Sequence, residues 1–489
     1  MVTEEEFPLL SAWATTFADV PIIKDNCPSR DKLIAMFQAS RERAGRGHLQ
    51  PCAELCNHLI SRNYHTTLVI PSSSSSFTQN PLAKILQLTA SPGPPNPGPD
   101  PLRYQATQDL HDHLASLSDI PDAPLPVCAI VDFQMGWTKE VFWRFQVPVI
   151  GFFTFGVGDI RPDELRPIPG LPDHMALSVA DLKRRPAGPP RGVPNLPRGG
   201  GGGGKGRSGG GGPPKPGDRP PWVPEIEGSM ALMFNTCDFI DRAFIDYMKD
   251  QMGMPVWGVG PLLPETYWNR NRNPNRPVEE NQRQSNYTED DVVQWLDSKP
   301  RGSVLYVAFG SEVGPNAEEY PQLASALEES TRPFIWVIQT GVGGGYNQDG
   351  LESRVGERGL IICGWAPQLL ILSHQSTGGF LSHCGWNSTV EAVCRGVPIL
   401  GWPIRGDQYC NAKLVQKHLK VGYGVCESFE ELVKKEDILK GIERLMGDED
   451  MKRRALETGR KFEGGFPASS AAALDDFVDF IRPKTSSQV

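Results

Sequence analysis

The chain has 489 residues and a formal net charge of −9, from 49 Lys and Arg against 58 Asp and Glu. At about 150 residues per domain, that length implies about three domains or two large ones. The 39% hydrophobic and 9% aromatic content excludes a wholly disordered chain, and the acidic balance weighs against nonspecific nucleic-acid binding.

The acidic start, Thr3-Glu4-Glu5-Glu6, lacks the basic-then-apolar pattern of a secretory signal. No apolar run approaches the roughly 20 residues that span a bilayer, so a soluble, cytoplasmic protein is expected. Short apolar runs at 32–37, 66–70, 127–131, 147–153, 304–309, 334–338, 360–362 and 397–401 predict strands, several of them apolar throughout, as in parallel strands covered on both faces. After Pro51, the residues Cys52, Leu55, Cys56, Leu59 and Ile60 form one helical stripe. Residues 184–224 form a Gly/Pro/Arg tract too poor in apolar groups to pack, which predicts a mobile loop. Its Gly204-Lys205-Gly206-Arg207 run is too short of aromatics to read as an RNA site. The polar stretch 269–291 reads as a linker. Strand–helix alternation on both sides of it predicts two doubly wound α/β domains, with a ligand cleft between the carboxyl ends of their sheets. The ten cysteines show neither a C-x-x-C pair nor zinc spacing and read as reduced core residues.

The most informative stretch is 365–408, WAPQLLILSHQSTGGFLSHCGWNSTVEAVCRGVPILGWPIRGDQ. Here Ser382-His383-Cys384-Gly385-Trp386-Asn387-Ser388 leads from an apolar strand into a helix expected to begin near Asn387 or Ser388, both favoured caps. A helix N-terminus beside a histidine, a glycine and two small polar side chains suits a diphosphate. Trp365 offers a flat face for a base. Glu391, one turn into the helix, is placed to accept hydrogen bonds from ribose hydroxyls, and Asp407 and Gln408 offer acceptors and a donor for a sugar.

In length and at Trp365, Gln368, His383, Trp386, Asn387, Ser388, Glu391, Asp407 and Gln408 this segment resembles the signature box of the plant family 1 UDP-sugar-dependent glycosyltransferases. The likeness extends to Trp295-Leu296-Asp297, to GSVLYVAFGS at 302–311, and to Val259-Gly260-Pro261-Leu262 before the linker. It implies the GT-B fold: an N-terminal extension 1–31, an acceptor domain 32–262, a linker 263–291 and a UDP-sugar domain 292–470. A C-terminal helix and tail, 471–489, would pack back on the first domain. Donor contacts are implied at Ser311, Trp365, Ala366, Gln368, His383, Trp386, Asn387, Ser388, Glu391, Asp407, Gln408 and Thr154.

The family's general base is a histidine after the first strand, and Gly45-Arg46-Gly47-His48 supplies one; the family's partner aspartate corresponds to Asp132. An imidazole near pH 6.5 is about 3.5 units from a phenol, or about 5 kcal/mol, and about 9 units from an alkyl alcohol, or about 13 kcal/mol. An alcohol's proton must therefore leave in concert with attack. The resemblance implies displacement with inversion, UDP-glucose as co-substrate, and no metal or other cofactor, the leaving charge being held by the helix N-terminus with His383, Asn387 and Ser388. Asp448-Glu449-Asp450 reads as a solvated turn, and Asp109, His111, Asp112 and His113 point apart on a helix, so neither reads as a metal site. Glucose is the expected donor sugar, because Gln408 occupies the position where the family's galactose users carry His. UDP-glucuronate would lack a cation unless Arg405 supplied one.

Three features depart from the family: the long extension, extra residues at 38–47 including Arg41, Glu42 and Arg43, and the Arg/Gly tract. The expected protein is a monomeric, inverting glucosyltransferase making an O-β-glucoside of a small phenolic, flavonoid-like acceptor, with no nucleic-acid partner. A C-glycosyltransferase, another UDP-sugar or a non-phenolic acceptor are alternatives. An inactive UDP-sugar-binding regulator is the alternative of another class, opposed by intact His48, Asp132, Asp407 and Gln408.

Overall fold

The computed structural model describes residues 32–36, 46–71, 84–88, 101–118, 125–154, 223–268, 285–311, 313–339, 350–426, 429 and 432–482. The N-terminal extension, the turn carrying Arg41, Glu42 and Arg43, and nearly all of the Gly/Pro/Arg tract lie outside them.

Two parallel sheets organise the described residues. The first comprises β1 (Lys32–Met36), β2 (His65–Pro71), β3 (Lys84–Leu88), β4 (Cys128–Asp132), β5 (Val149–Phe153), β6 (Ala231–Phe234) and β7 (Val256–Gly258), in the order β3-β2-β1-β4-β5-β6-β7. The second comprises β8 (Val304–Ala308), β9 (Phe334–Ile338), β10 (Gly359–Cys363), β11 (Thr377–Ser382), β12 (Ile399–Gly401) and β13 (Gly422–Gly424), in the order β10-β9-β8-β11-β12-β13. In each sheet the chain first winds outward one way and then restarts on the other side, so β1 lies beside β4 and β8 beside β11. A ligand crevice opens at such switch points, outside the carboxyl ends of the strands.

The central strands CAIVD, VIGFF, VLYVA and FIWVI are buried throughout, as apolar runs covered on both faces should be. The strands without a sequence signal are short or lie toward an edge: β3 reads KILQL and is half-exposed, β6 has four buried residues, and β7 and β13 have three residues each. Helix α1 (Arg46–Ile60) buries Leu49, Cys52, Leu55, Cys56 and Leu59 against the first sheet, while Ile60 is only half-buried. Helix α2 (Glu289–Asp297) begins within the stretch expected as linker. Thr288 and Asp291 form a reciprocal capping box there, which starts the helix early. Between sheets and crevices run α3 (Trp386–Arg395) and α4 (Gln408–Lys413).

Helix α5 (Ala468–Ile481) returns to the first sheet. Phe477 and Phe480 meet the Trp257 ring edge-on at 5.5 and 5.3 Å, and the Trp257 indole N–H donates to Asp476 at 2.7 Å. One apolar cluster includes Phe153 and Phe234 of the first half with Tyr306, Phe380 and Trp386 of the second, so the halves share core. Among the described residues no helix is long and apolar enough to cross a membrane.

Candidate active site

Each switch point carries one cluster of polar side chains. At the first, α1 presents His48 and the last residue of β4 presents Asp132. His48 Nδ1 lies 2.6 Å from Asp132 Oδ2, and Asp132 is fully buried. The second carboxylate oxygen accepts from the Gln134 N–H at 2.9 Å, which fixes the carboxylate's plane. Thr154, just past β5, brings its hydroxyl to 2.9 Å from the same imidazole nitrogen. Behind His48, Phe133 stacks on Phe153 at 5.2 Å and Phe153 on Phe234 at 4.6 Å, a rigid apolar wall. With Nδ1–H given to the carboxylate, the neutral ring carries its lone pair on Nε2.

At the second switch point β8 runs into Gly310-Ser311 and β11 into His383-Cys384-Gly385. Cys384 takes a left-handed φ of 60°, turning the chain so that Gly385, in extended conformation, becomes the N-cap of α3. The helix thus starts at Trp386, and Asn387 and Ser388 lie inside its first turn instead of capping it. Because Gly385 has no side chain, the N-cap residue itself makes no side-chain hydrogen bond to this helix end. His383 is wedged between two glycines: a Cβ at Gly310 would lie 2.8 Å from its Nε2, and one at Gly385 2.5 Å. Gly310 also has a φ of 73°, so glycine is required there on both counts. Its ring is buried and its Nδ1 has no hydrogen-bond partner among the described residues. Burial, with the charge of Arg405 adding to it, pushes the His383 pKa down to about 4. At neutral pH this histidine is an uncharged hydrogen-bonding group and no cation.

A polar chain runs along the flank of α3. The Tyr306 hydroxyl donates to Gln368 Oε1 at 3.1 Å, and the Gln368 amide donates to Ser388 at 3.0 Å and to Glu391 Oε2 at 2.6 Å. Burial raises Glu391 to about 7, against the pull of the Gln368 bond. Trp365 and Ala366 precede Gln368 where β10 ends, Trp365 half-buried and Ala366 buried. Ser311 is exposed on the turn after β8.

Asp407 and Gln408 open α4. Asp407 accepts from the Trp386 backbone N–H and from Asn411 at 2.9 Å, so it closes over the start of α3. Burial raises its pKa, while Asn411 and the charge of His48 pull it back. The charge of His48 thus acts on Asp407 and links the two clusters electrostatically. Gln408 is buried, and its carbonyl oxygen accepts from the N–H groups of Ile404 and Arg405, each at 2.9 Å. Its amide is then the part able to serve a ligand, as a donor. The Trp386 indole N–H is likewise occupied, donating to the Asn235 carbonyl at 2.6 Å. Asp448, by contrast, caps the helix Glu449–Arg460 through the Met451 N–H and accepts from Tyr423, so its carboxylate has a structural task. Asn286 holds the Ile361 carbonyl and the Cys363 N–H with its side-chain amide, and so is spent on β10.

Three residues here escaped sequence reasoning. Asn411 had a local signal, an acid four residues before it on a helix. Tyr306 and Asn235 had none, since their partners are distant in sequence.

The sequence model described as UDP-glucoronosyl and UDP-glucosyl transferase matches residues 281–460. UDP-glycosyltransferase 73C5 of Arabidopsis thaliana is 32% identical over 402 residues, covering 74% of this chain and 76% of that protein. UDP-glycosyltransferase 89A2 of the same plant is 28% identical over 468 residues, covering 89% and 93%. Among solved structures, a UDP-glucosyltransferase from Polygonum tinctorium superimposes with a TM-score of 0.70 at 22% identity, over 94% of this chain and all of that one. A transferase from Siraitia grosvenorii, in complex with UDP, gives 0.68 at 23%, over 92% and 99%. The structural likeness shows the fold to be GT-B, and with the sequence relatives it establishes that the chain belongs to the plant family 1 UDP-glycosyltransferases, enzymes that use a UDP-sugar donor.

Proposed function

We propose that the protein is an inverting UDP-glucose-dependent glucosyltransferase that makes O-β-glucosides of small phenols. Residues 32–262 would hold the acceptor and 292–470 the donor, joined by 263–291. The observation that carries the reading is the 2.6 Å contact between His48 Nδ1 and buried Asp132, at the first switch point and within electrostatic reach of Asp407. Asp132 selects the tautomer with the lone pair on Nε2 and stabilises the ring once protonated. The acceptor O–H gives its proton to Nε2 as its oxygen bonds to the anomeric carbon. The bond from that carbon to the diphosphate oxygen breaks, and UDP leaves with the electron pair.

On the donor side, Trp365 would stack the base and Glu391 would take the ribose hydroxyls. The start of α3, with Ser311, Asn387, Ser388 and neutral His383, would hold the diphosphate by directed hydrogen bonds. Asp407 and the Gln408 amide would hold the sugar hydroxyls, and Thr154 would sit beside the transferred sugar. No metal is assigned a part, and the protein would act as a cytoplasmic monomer. The relative from Polygonum tinctorium, described as capable of glucosylating indoxyl, supports a small hydroxylated aromatic acceptor.

The test is product analysis. UDP-glucose with a panel of flavonoids and simple phenols should yield acid-labile glucosides whose anomeric proton shows the β configuration. An α-glucoside, or an acid-stable carbon-linked product, would contradict the reading.

A further inference from the structure

Asn235, one residue beyond β6 and 1% exposed, joins three segments that the proposed reaction needs aligned. Its side-chain amide donates to the Thr154 carbonyl at 3.2 Å. Its side-chain oxygen accepts from the Leu262 N–H at 2.7 Å, holding the turn that leads into the linker. The fit there is close: a Cβ on Gly260 would lie 2.2 Å from that oxygen. Its backbone carbonyl takes the Trp386 indole N–H, at the first residue of α3.

We propose that Asn235 is a positioning residue for the transfer, fixing Thr154 beside His48 Nδ1 and docking the start of α3 onto the same sheet end. The inference rests on the reading of His48 as the base. All four of Asn235's polar groups, its side-chain amide and oxygen and its backbone N–H and carbonyl, are engaged, and by three separate segments. Thr154 can hold its hydroxyl 2.9 Å from the imidazole only while its backbone is held, and Asn235 contributes that hold from both sides: its amide takes the Thr154 carbonyl and its N–H donates to the Phe153 carbonyl at 2.9 Å. The Trp386 bond then references the donor side to the same point. A buried network of this kind is rigid when every member is satisfied, and it fails as a unit.

The experiment is a double-mutant cycle with Asn235→Ala, Thr154→Val and the combination, read as kcat, UDP affinity and the pH profile of kcat/KM. Asn235→Ala should lower kcat about 10- to 100-fold, the scale of a misplacement near 1 Å, and leave UDP affinity near wild type. The Thr154 oxygen lies 2.9 Å from Nδ1, whose proton Asp132 also accepts. Because the cationic ring is the stronger donor, losing or displacing that oxygen removes a contact that favours the charged ring. The base's pKa should therefore fall, and the acid limb of the profile should move to lower pH in both single variants. The double variant should be no worse than the poorer single, because both act through one contact. Trp386→Phe, which removes the indole N–H together with part of the buried ring, provides a second arm if Asn235→Ala does not fold; it too should lower kcat. Wild-type kcat and an unmoved acid limb in Asn235→Ala, additive losses in the double variant, or a Trp386→Phe that keeps full kcat would each overturn the proposal. His48→Ala run in parallel separates the two claims. If it keeps its turnover, the base reading fails and this inference with it; if it collapses while Asn235→Ala stays normal, only Asn235 is misassigned.

Discussion

The two switch points solve opposite electrostatic problems with the same element, a histidine past a central strand. In the first half His48 is given a charge partner: Asp132 touches its ring, which on the proposed mechanism lets the imidazole become a cation during reaction. In the second half His383 is denied one. It is buried, flanked by glycines, and pushed down to about 4 by burial and by Arg405, so it stays neutral beside a helix start whose N-cap is glycine. A base must change charge in the transition state, whereas a cradle for a departing anion works best when its dipoles are fixed beforehand. The pairing of a histidine with a carboxylate, or with glycines, separates the two roles.

The largest effect that would sharpen this comparison is on the first half. Asp132→Asn keeps the shape but lets the amide favour the wrong tautomer, and it should cost about 10²-fold or less in kcat with UDP affinity unchanged. Equal losses of kcat and UDP affinity would erase the distinction between the halves. Next comes donor choice. The Gln408 carbonyl is committed to the Ile404 and Arg405 N–H groups, which leaves Asp407 as the acceptor and the Gln408 amide as the donor for the sugar. An axial 4-hydroxyl would leave one of these unpaired at about 1–3 kcal/mol, so UDP-glucose should outcompete UDP-galactose by roughly 5- to 150-fold. Competition at equal donor concentration checks this, and preference for galactose, or for glucuronate with dependence on Arg405, would break it.

Two smaller effects concern protons. His383 has a folded pKa below its unfolded value of 6.5, so its contribution to stability is present above pH 6.5 and is lost as pH falls through about 4. Denaturant titrations of His383→Gln should therefore show a shallower acid loss in that window than the wild type. Glu391 has the opposite sign. Its folded pKa is raised from 4.5 to about 7, so its contribution is present below 4.5 and is lost as pH rises through 7. If, as proposed, Glu391 takes the ribose hydroxyls as a carboxylate, the stronger acceptor, UDP binding at pH 6 should release up to about one proton, and almost none by pH 8. Calorimetry in buffers of different ionisation enthalpy measures it, and Glu391→Gln should abolish it.

Much of this was legible in the sequence. The apolar runs VLYVA and FIWVI announce buried parallel strands, and the stripe from Cys52 to Leu59 announces α1, because both signals are local periodicities. His48, Asp132 and the donor-side residues are singled out by the resemblance of short segments to the family's motifs. Tertiary junctions did not show. Asn235 meets partners 81, 27 and 151 residues away, and no window of sequence contains them. The start of α3 was misplaced by one or two residues for a similar reason: Asn387 and Ser388 are favoured caps locally, but the left-handed turn at Cys384 makes Gly385 the cap. Gln408 has the right chemistry for a sugar in isolation, yet the chain folds so that its carbonyl is spent on the loop before it.

The division of labour between the halves is tested most directly by measuring turnover and UDP affinity on one variant, His48→Ala. Removal of a general base costs about 10²-fold or more, and UDP should still bind as it does to the wild type. Turnover near wild type with a phenol or an alkyl alcohol acceptor, or a loss of turnover matched by a loss of UDP binding, would contradict the assignment of proton transfer to the first half alone.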